Sequence, residues 1–167
     1  PSLGERFTTR EGMATADNNR FLRVWSEVDR GKIEFDCASE EDAQSTGGTW
    51  FPYDKGGEFR RWYGNNDFVV EYKDDGQNIK TNKDPQTGRL RSHNYNGKFG
   101  FREGLTWSAL TSGLFSIRYS PQGSLFDSKG AKGFSSHPYE VLALLNSRLA
   151  QRYLSFLSPT LDFKVGD

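Results

Sequence analysis

Between Trp50 and Asn65 the chain reads Trp-Phe-Pro-Tyr-Asp-Lys-Gly-Gly-Glu-Phe-Arg-Arg-Trp-Tyr-Gly-Asn. Six aromatics, three cations, three glycines and two carboxylates share these sixteen positions. Rings beside cations at a glycine-rich turn suit a surface that stacks on flat groups and neutralises anions, and nucleic acid combines both properties. The alternative is a twisted hairpin whose rings pack inward and whose charges are solvated. A second pattern, Val69-Val-Glu71-Tyr-Lys73, has the apolar strand followed by Glu-x-Lys of metal-dependent nucleases. There a carboxylate pair holds Mg²⁺ and the lysine steadies the attacking water, so Asp54 or Asp67 would have to join Glu71. The same three residues also describe a strand that alternates exposed Glu71 and Lys73.

Other chemistries lack their residues. One cysteine, Cys37, and two histidines, His93 and His137, give no ligand-spaced pair for a metal. There is no Gly-x-Ser-x-Gly elbow, no phosphate-cradling loop and no dinucleotide fingerprint. Gly130-Ala-Lys-Gly133, with Lys129 and Lys132, reads as a small basic turn that is either solvated or placed to meet a phosphate.

The 167 residues fit one domain and suffice to bury a core. Apolar residues make up only 34%, but aromatics reach 14%, and large rings build a core from few positions. The 22 basic and 22 acidic side chains cancel, which argues against a binder held by charge alone. The acids gather at residues 34–42 and 74–75, and the bases at Arg60, Arg61, Arg89, Arg91, Lys98, Arg102, Lys129 and Lys132. That segregation permits one basic face. The lone cysteine fits a reducing cytoplasm, and no apolar run is long enough to span a membrane. The abrupt ends suggest a domain excised from a longer chain.

These residues need elements to hold them. Ser2 to Asn19 reads as loop. Residues 20–28 read as a strand or a short helix, with two β-branched residues and two rings favouring the strand. Further strands are expected over residues 49–53, 67–73, 101–111, 114–119 and 124–126, with turns at Gly56-Gly57, Asp75-Gly76 and Pro121-Gln-Gly123. Ser39 is placed to cap a helical turn with Asp42 three residues on. Residues 74–98 form a long polar excursion, a common site of function when it is not merely mobile. Tyr139 to Leu157 reads as one long helix, with Ser136 as cap, Pro138 near the first position and Pro159 as stop. Leu142, Leu145, Leu149, Tyr153 and Phe156 would be its buried stripe. The expected architecture is α+β: a mixed or antiparallel sheet with a long C-terminal helix packed on it.

Several blocks in order resemble one family. Gly12-Met-Ala-Thr15-Ala-Asp17-Asn18 with Phe21-Leu-Arg23 and Trp25 is similar to a segment of adenine-specific DNA methyltransferases of the BREX phage-resistance type and of related single-chain restriction-modification enzymes. The 50–65 block, Gly104-Leu-Thr-Trp107-Ser with Phe115-Ser-Ile-Arg118-Tyr, Leu144-Leu-Asn-Ser147 and Leu157-Ser-Pro-Thr160-Leu-Asp-Phe-Lys-Val-Gly166 resemble later segments of the same enzymes. At Ala16 those enzymes more often carry glycine. The resemblance implies that residues 1–167 are a target recognition domain reading double-stranded DNA for adenine-N6 methylation in phage defence or restriction-modification. The glycine-rich S-adenosylmethionine loop and the Asn-Pro-Pro-Tyr type tetrapeptide of the family do not occur here. Cofactor and methyl transfer would then belong to a catalytic module elsewhere in the parent chain, with no cofactor or metal on this part.

On that reading Lys55, Arg60, Arg61, Lys98 and Arg118 are the expected phosphate contacts. Within the excursion Gln77, Asn78, Asn82, Arg89, Arg91, His93 and Asn94 offer the donors and acceptors that base edges require. Trp62 and Tyr63 either stack on a base or groove or pack beneath the turn. The rival functions are the Mg²⁺-dependent nuclease using Glu71 and Lys73, and an aromatic-rich module binding carbohydrate or protein.

Overall fold

The computed structural model describes residues 3–111, 113–157 and 163. Its architecture is α+β, with eight strands in two four-stranded sheets and six helices among the described residues. The first sheet joins β1 (Thr8–Arg10), β8 (Lys132–Phe134), β5 (Gly104–Trp107) and β6 (Ile117–Ser120) in that order, all antiparallel. The second joins β2 (Leu22–Val24), β4 (Phe68–Glu71), β3 (Trp50–Asp54) and β7 (Leu125–Phe126). Its β3–β7 pairing is parallel and the other two antiparallel, so this sheet is mixed.

Alternation sorts the first sheet into two faces. Leu105, Trp107 and Ile117 point to one side, where they meet Phe7, Phe115, Val141, Leu142 and Phe163 in an apolar cluster. The cross-strand row Arg10–Lys132–Thr106–Arg118 points to the other. The second sheet builds its own core from Phe21, Phe51, Tyr53, Val70, Tyr72, Ile79 and Phe101. Phe51, Tyr72 and Phe101 meet edge to face at 5.6–6.3 Å, so aromatic rings do supply much of this core.

Local signals set several elements. Ser39 Oγ accepts from Asp42 N at 3.1 Å and starts α3 (Glu40–Thr46), which ends at Gly47 in the left-handed conformation. β1 and β8 are strands where sequence suggested a loop and a basic turn. Gly12 belongs to the stretch after β1, where Met13 bridges to Asp127. A Cβ there would fall 2.0 Å from the Phe126 carbonyl oxygen, so only glycine permits the approach. Ala16 has φ +58°, the conformation that favours glycine, and Asp17 caps α2 (Asn18–Phe21) by accepting from Arg20 N.

The expected C-terminal helix is two helices, α5 (Pro138–Leu145) and α6 (Arg148–Leu157). The break has a tertiary cause. Asn146 is buried, and its side chain accepts from Ile117 N (3.3 Å) and donates to the carbonyls of Ile117 (2.8 Å) and Leu142 (3.1 Å). It thereby occupies the free edge of β6, and the chain restarts with Ser147 Oγ accepting from Ala150 N. Pro138 does begin α5, but its cap position is His137, not Ser136. Of the proposed stripe, Leu142 is buried and Leu145 half-buried, whereas Leu149 is 60% exposed and Tyr153 and Phe156 are also exposed. Leu149, Tyr153 and Leu154 of α6 face Phe7, Trp107, Phe115 and Ile117 across an apolar groove of about 500 Å³. The stop at Pro159 and the return segment lie outside the described residues, Phe163 excepted.

Candidate nucleic-acid interface

The aromatic segment divides in two. Trp50 to Asp54 form β3, with Phe51 and Tyr53 buried. Residues 56–65 form a projecting tip. Its chain direction requires positive φ at Gly56, Gly57, Trp62, Gly64 and Asn65. The foot is clamped: Gly57 N donates to Ser108 Oγ (3.0 Å), which donates back to the Gly57 carbonyl (2.8 Å). Asn65 Nδ2 donates to the Glu58 carbonyl at 2.9 Å, and Tyr119 N donates to the Trp62 carbonyl at 2.8 Å, so Trp62 lies beside β6 as an added neighbour.

On this clamped tip Phe59, Trp62 and Tyr63 are 45%, 54% and 58% exposed. The rings of the tip are therefore exposed, whereas Phe51 and Tyr53 of the strand are buried in the core as the inward-packed alternative expected. Arg60 is exposed, and Arg61 is half-buried with its guanidinium carbon 5.3 Å from the Phe59 ring centroid. Lys129 is exposed and its carbonyl lies against Gly56, which brings another cation to the foot of the tip.

Two of the expected phosphate contacts are engaged inside the fold. Lys55 Nζ pairs with Asp127 Oδ2 at 2.6 Å. Arg118 is 0% exposed, because strand alternation aims it between the sheets instead of outward. Burial draws its pKa below the usual arginine range, and the Asp54 carboxylate opposes the shift. Among the described residues its three guanidinium nitrogens, and Nε of Arg61, find no hydrogen-bond partner. Lys132 is equally buried, 3.3 Å from Asp54 Oδ2, so it cannot meet a phosphate in a solvated turn. Burial lowers its pKa, again against the pull of Asp54. Asp54 Oδ2 also accepts from Ser120 Oγ (2.6 Å) and Ser124 Oγ (2.8 Å).

Lys98 is exposed, as expected, and has company that sequence did not reveal. Its Nζ lies 5.5 Å from the Phe99 centroid, Arg102 lies 5.5 Å from the same centroid, and Arg10 lies 4.7 Å from it. Three cations on one ring make a local positive patch that an anion would relieve. Arg10 opens the row that crosses β1, β8, β5 and β6 to Trp62. Four strand spacings separate its ends, about 19 Å.

The excursion is ordered. Residues 73–80 form α4 (Lys73–Lys80), broken by left-handed φ at Asp74, Asp75 and Gly76. Asn82 to Arg91 form a small hairpin, with Lys83 bridged to Leu90 and the turn held by Asp84 Oδ1, which accepts from the N–H groups of Gln86 and Thr87. Arg89 and Arg91 are exposed on it. At its base Asn94 is half-buried and donates to Tyr72 Oη at 3.1 Å, while Asn78 donates to Glu71 and Asn82 to the Thr15 carbonyl. Those three amides are spent on the fold. His93 bridges to Ala14 and stacks on exposed Tyr95 at 4.7 Å. Tyr95, absent from the sequence candidates, is the outermost ring of this region.

The nuclease arrangement fails on register. Trp50 is opposite Glu71 and Tyr53 opposite Phe68, so Asp54 and Asp67 each lie about four residues, some 13 Å, along the strands from Glu71. Ligands of one Mg²⁺ must converge to about 2.1 Å of it. Asp54 is moreover committed to Lys132 and two serines, and no group of three or more His, Cys, Asp or Glu among the described residues could hold a metal. Desolvation, followed by the nearby carboxylates of Asp42, Glu34 and Asp36, pushes the pKa of the buried Cys37 thiol up to about 11 and leaves it a poor nucleophile. No described helix is long and apolar enough to cross a membrane.

The chain is similar to segments of two curated proteins. It is 52% identical over 162 residues to the adenine-specific methyltransferase PglX of Lacticaseibacillus casei (strain Zhang), which covers 95% of this chain and 13% of that one. It is 35% identical over 173 residues to the adenine-specific methyltransferase BrxX of Escherichia coli O9:H4 (strain HS), covering 100% of this chain and again 13% of the relative. The chain thus spans about an eighth of the length of either. No protein-family profile matches it.

Proposed function

We propose that residues 1–167 are the target recognition domain of an adenine-specific DNA methyltransferase in phage defence, and that they bind double-stranded DNA through the 56–65 tip, the Phe99 patch and the 82–91 hairpin. The observation that carries this is the tip itself, a clamped loop that turns Phe59, Trp62 and Tyr63 outward beside Arg60 and Arg61. A chain of net charge zero gains affinity for a polyanion by grouping its cations, and two groups are present: Arg60 and Arg61 on the tip, and Arg10, Lys98 and Arg102 around Phe99. Arg89 and Arg91 on the exposed hairpin are the base-reading candidates, since bidentate arginine–guanine pairs carry sequence information. S-adenosylmethionine, the flipped adenine and methyl transfer belong on this reading to another module of the parent chain. The similarity to two adenine-specific methyltransferases supports the assignment.

The test is duplex binding at varied salt. Replacing Arg60 and Arg61 together by Ala should weaken binding to all duplexes alike and flatten the plot of log affinity against log salt by about 0.9 per lost contact. Arg91→Ala should instead alter which sequence is preferred, by about 1–3 kcal/mol. An unchanged salt slope in the double variant overturns the assignment.

A further inference from the structure

Trp62 is displayed under strain. Tyr63 N donates to the Arg61 carbonyl at 2.9 Å, and the intervening Trp62 has φ +74°. A bond from residue i+2 to residue i closed around a positive φ is the rare, strained hand of γ-turn. Glycine adopts such a φ freely, whereas a bulky side chain does so only when its surroundings impose it. Here the bond from Tyr119 N and the clamps at Gly57 and Asn65 impose it from both sides. Packing gives no return for the strain, because the indole is more than half exposed. A large flat ring is carried outward on a clamped backbone, at a position where glycine would fit that backbone better.

We propose that Trp62 is a wedge that inserts at a base step of duplex DNA and partly unstacks it; this rests on the DNA-recognition reading above. A ring on a rigid mount loses little conformational freedom on insertion. Arg60 and Arg61, its immediate neighbours, can hold the flanking phosphates while the ring enters, and Phe59 and Tyr63 extend the apolar front. Apolar side chains that enter duplexes unstack and kink them at the point of entry. The cost is smallest at pyrimidine–purine steps, so the preferred DNA carries such a step where Trp62 enters.

The experiment uses the 167-residue chain at low salt and short duplexes with 2-aminopurine at a pyrimidine–purine step or within an A-tract, read by anisotropy for binding and by 2-aminopurine emission for unstacking. Binding of the unsubstituted chain should raise emission at the pyrimidine–purine step by at least about twofold and leave the A-tract probe nearly unchanged. Trp62→Ala should abolish the rise and weaken binding about tenfold, and Trp62→Phe should keep part of both. Trp62→Gly should lose the rise while melting at or above the temperature of the unsubstituted chain, which separates lost insertion from lost folding. Binding without any change in emission, or a Trp62→Gly chain that still unstacks the probe, overturns the wedge and leaves recognition standing. No binding to any duplex overturns both.

Discussion

Replacing Asp54 by Ala should be among the most damaging single changes in this chain. The Asp54 carboxylate sits between the sheets, 3.3 Å from Lys132 Nζ, with Ser120 and Ser124 donating to the same oxygen at 2.6 and 2.8 Å. Arg118, fully buried, is the second cation that senses it. Both buried cations thus lean first on one buried anion; removing it takes from Arg118 its opposing carboxylate and leaves Lys132 only the weaker pull of Glu103. Breaking a buried pair from one side costs about 3–5 kcal/mol. The two serines lose less, since their hydroxyls lie 2.9 Å apart and Ser124 also accepts from Lys132. For a chain of this length each kcal/mol lowers Tm by about 2–4 °C, so Asp54→Ala should melt about 6–20 °C lower. The two-to-one ratio yields a sharper test. Lys132→Met removes the surplus cation and leaves Asp54 with Arg118, so it should cost clearly less than Asp54→Ala. Urea denaturation with both midpoint and slope measured would separate stability from compactness. Equal losses in the two variants, or a loss under about 1 kcal/mol for Asp54→Ala, would refute the reasoning about shared counter-charge.

The two-helix C-terminus separates two leucines that one stripe would make equivalent: Leu142→Ala should cost about 2–5 kcal/mol, and exposed Leu149→Ala should stay within about 0.5 kcal/mol, by denaturant midpoint. Tyr53 and Tyr72 have pKa values raised well above 10.0, first by burial and then by Asp127 for Tyr53 and by Glu40 and Asp75 for Tyr72. Because the folded values lie above the unfolded one, the neutral phenols contribute stability that is complete below about pH 10 and is lost as pH rises beyond it. Tyrosinate absorbance should therefore show these two of the seven tyrosines ionising only with unfolding; smooth titration of all seven in a chain that keeps its fold would contradict this.

What sequence determined was local. Ser39 caps α3 because a serine followed by Asp42 satisfies the helix N-terminus wherever the chain goes. Val69 and Val70 made β4 legible, and Gly56-Gly57 marked the turn, because these residues act through their own backbone. The ring-and-cation composition of the tip was visible for the same reason. Tertiary structure decided where each side chain pointed and what it met. Arg118 and Lys132 look like surface cations, but register placed them in one buried row, where the Asp54 carboxylate, 64 and 78 residues away, opposes the cost of burying their charge. Lys55 was lost to Asp127, 72 residues distant. The helical period ran unbroken through Asn146, yet the free edge of β6 offered that amide better partners than solvent, and the helix broke there. Arg10, Lys98 and Arg102 converge on Phe99 only after β1 pairs with β8 at the sheet edge. Periodicity and capping are properties of neighbours in the chain, whereas burial of charge and convergence of cations depend on which strands pair and in what register.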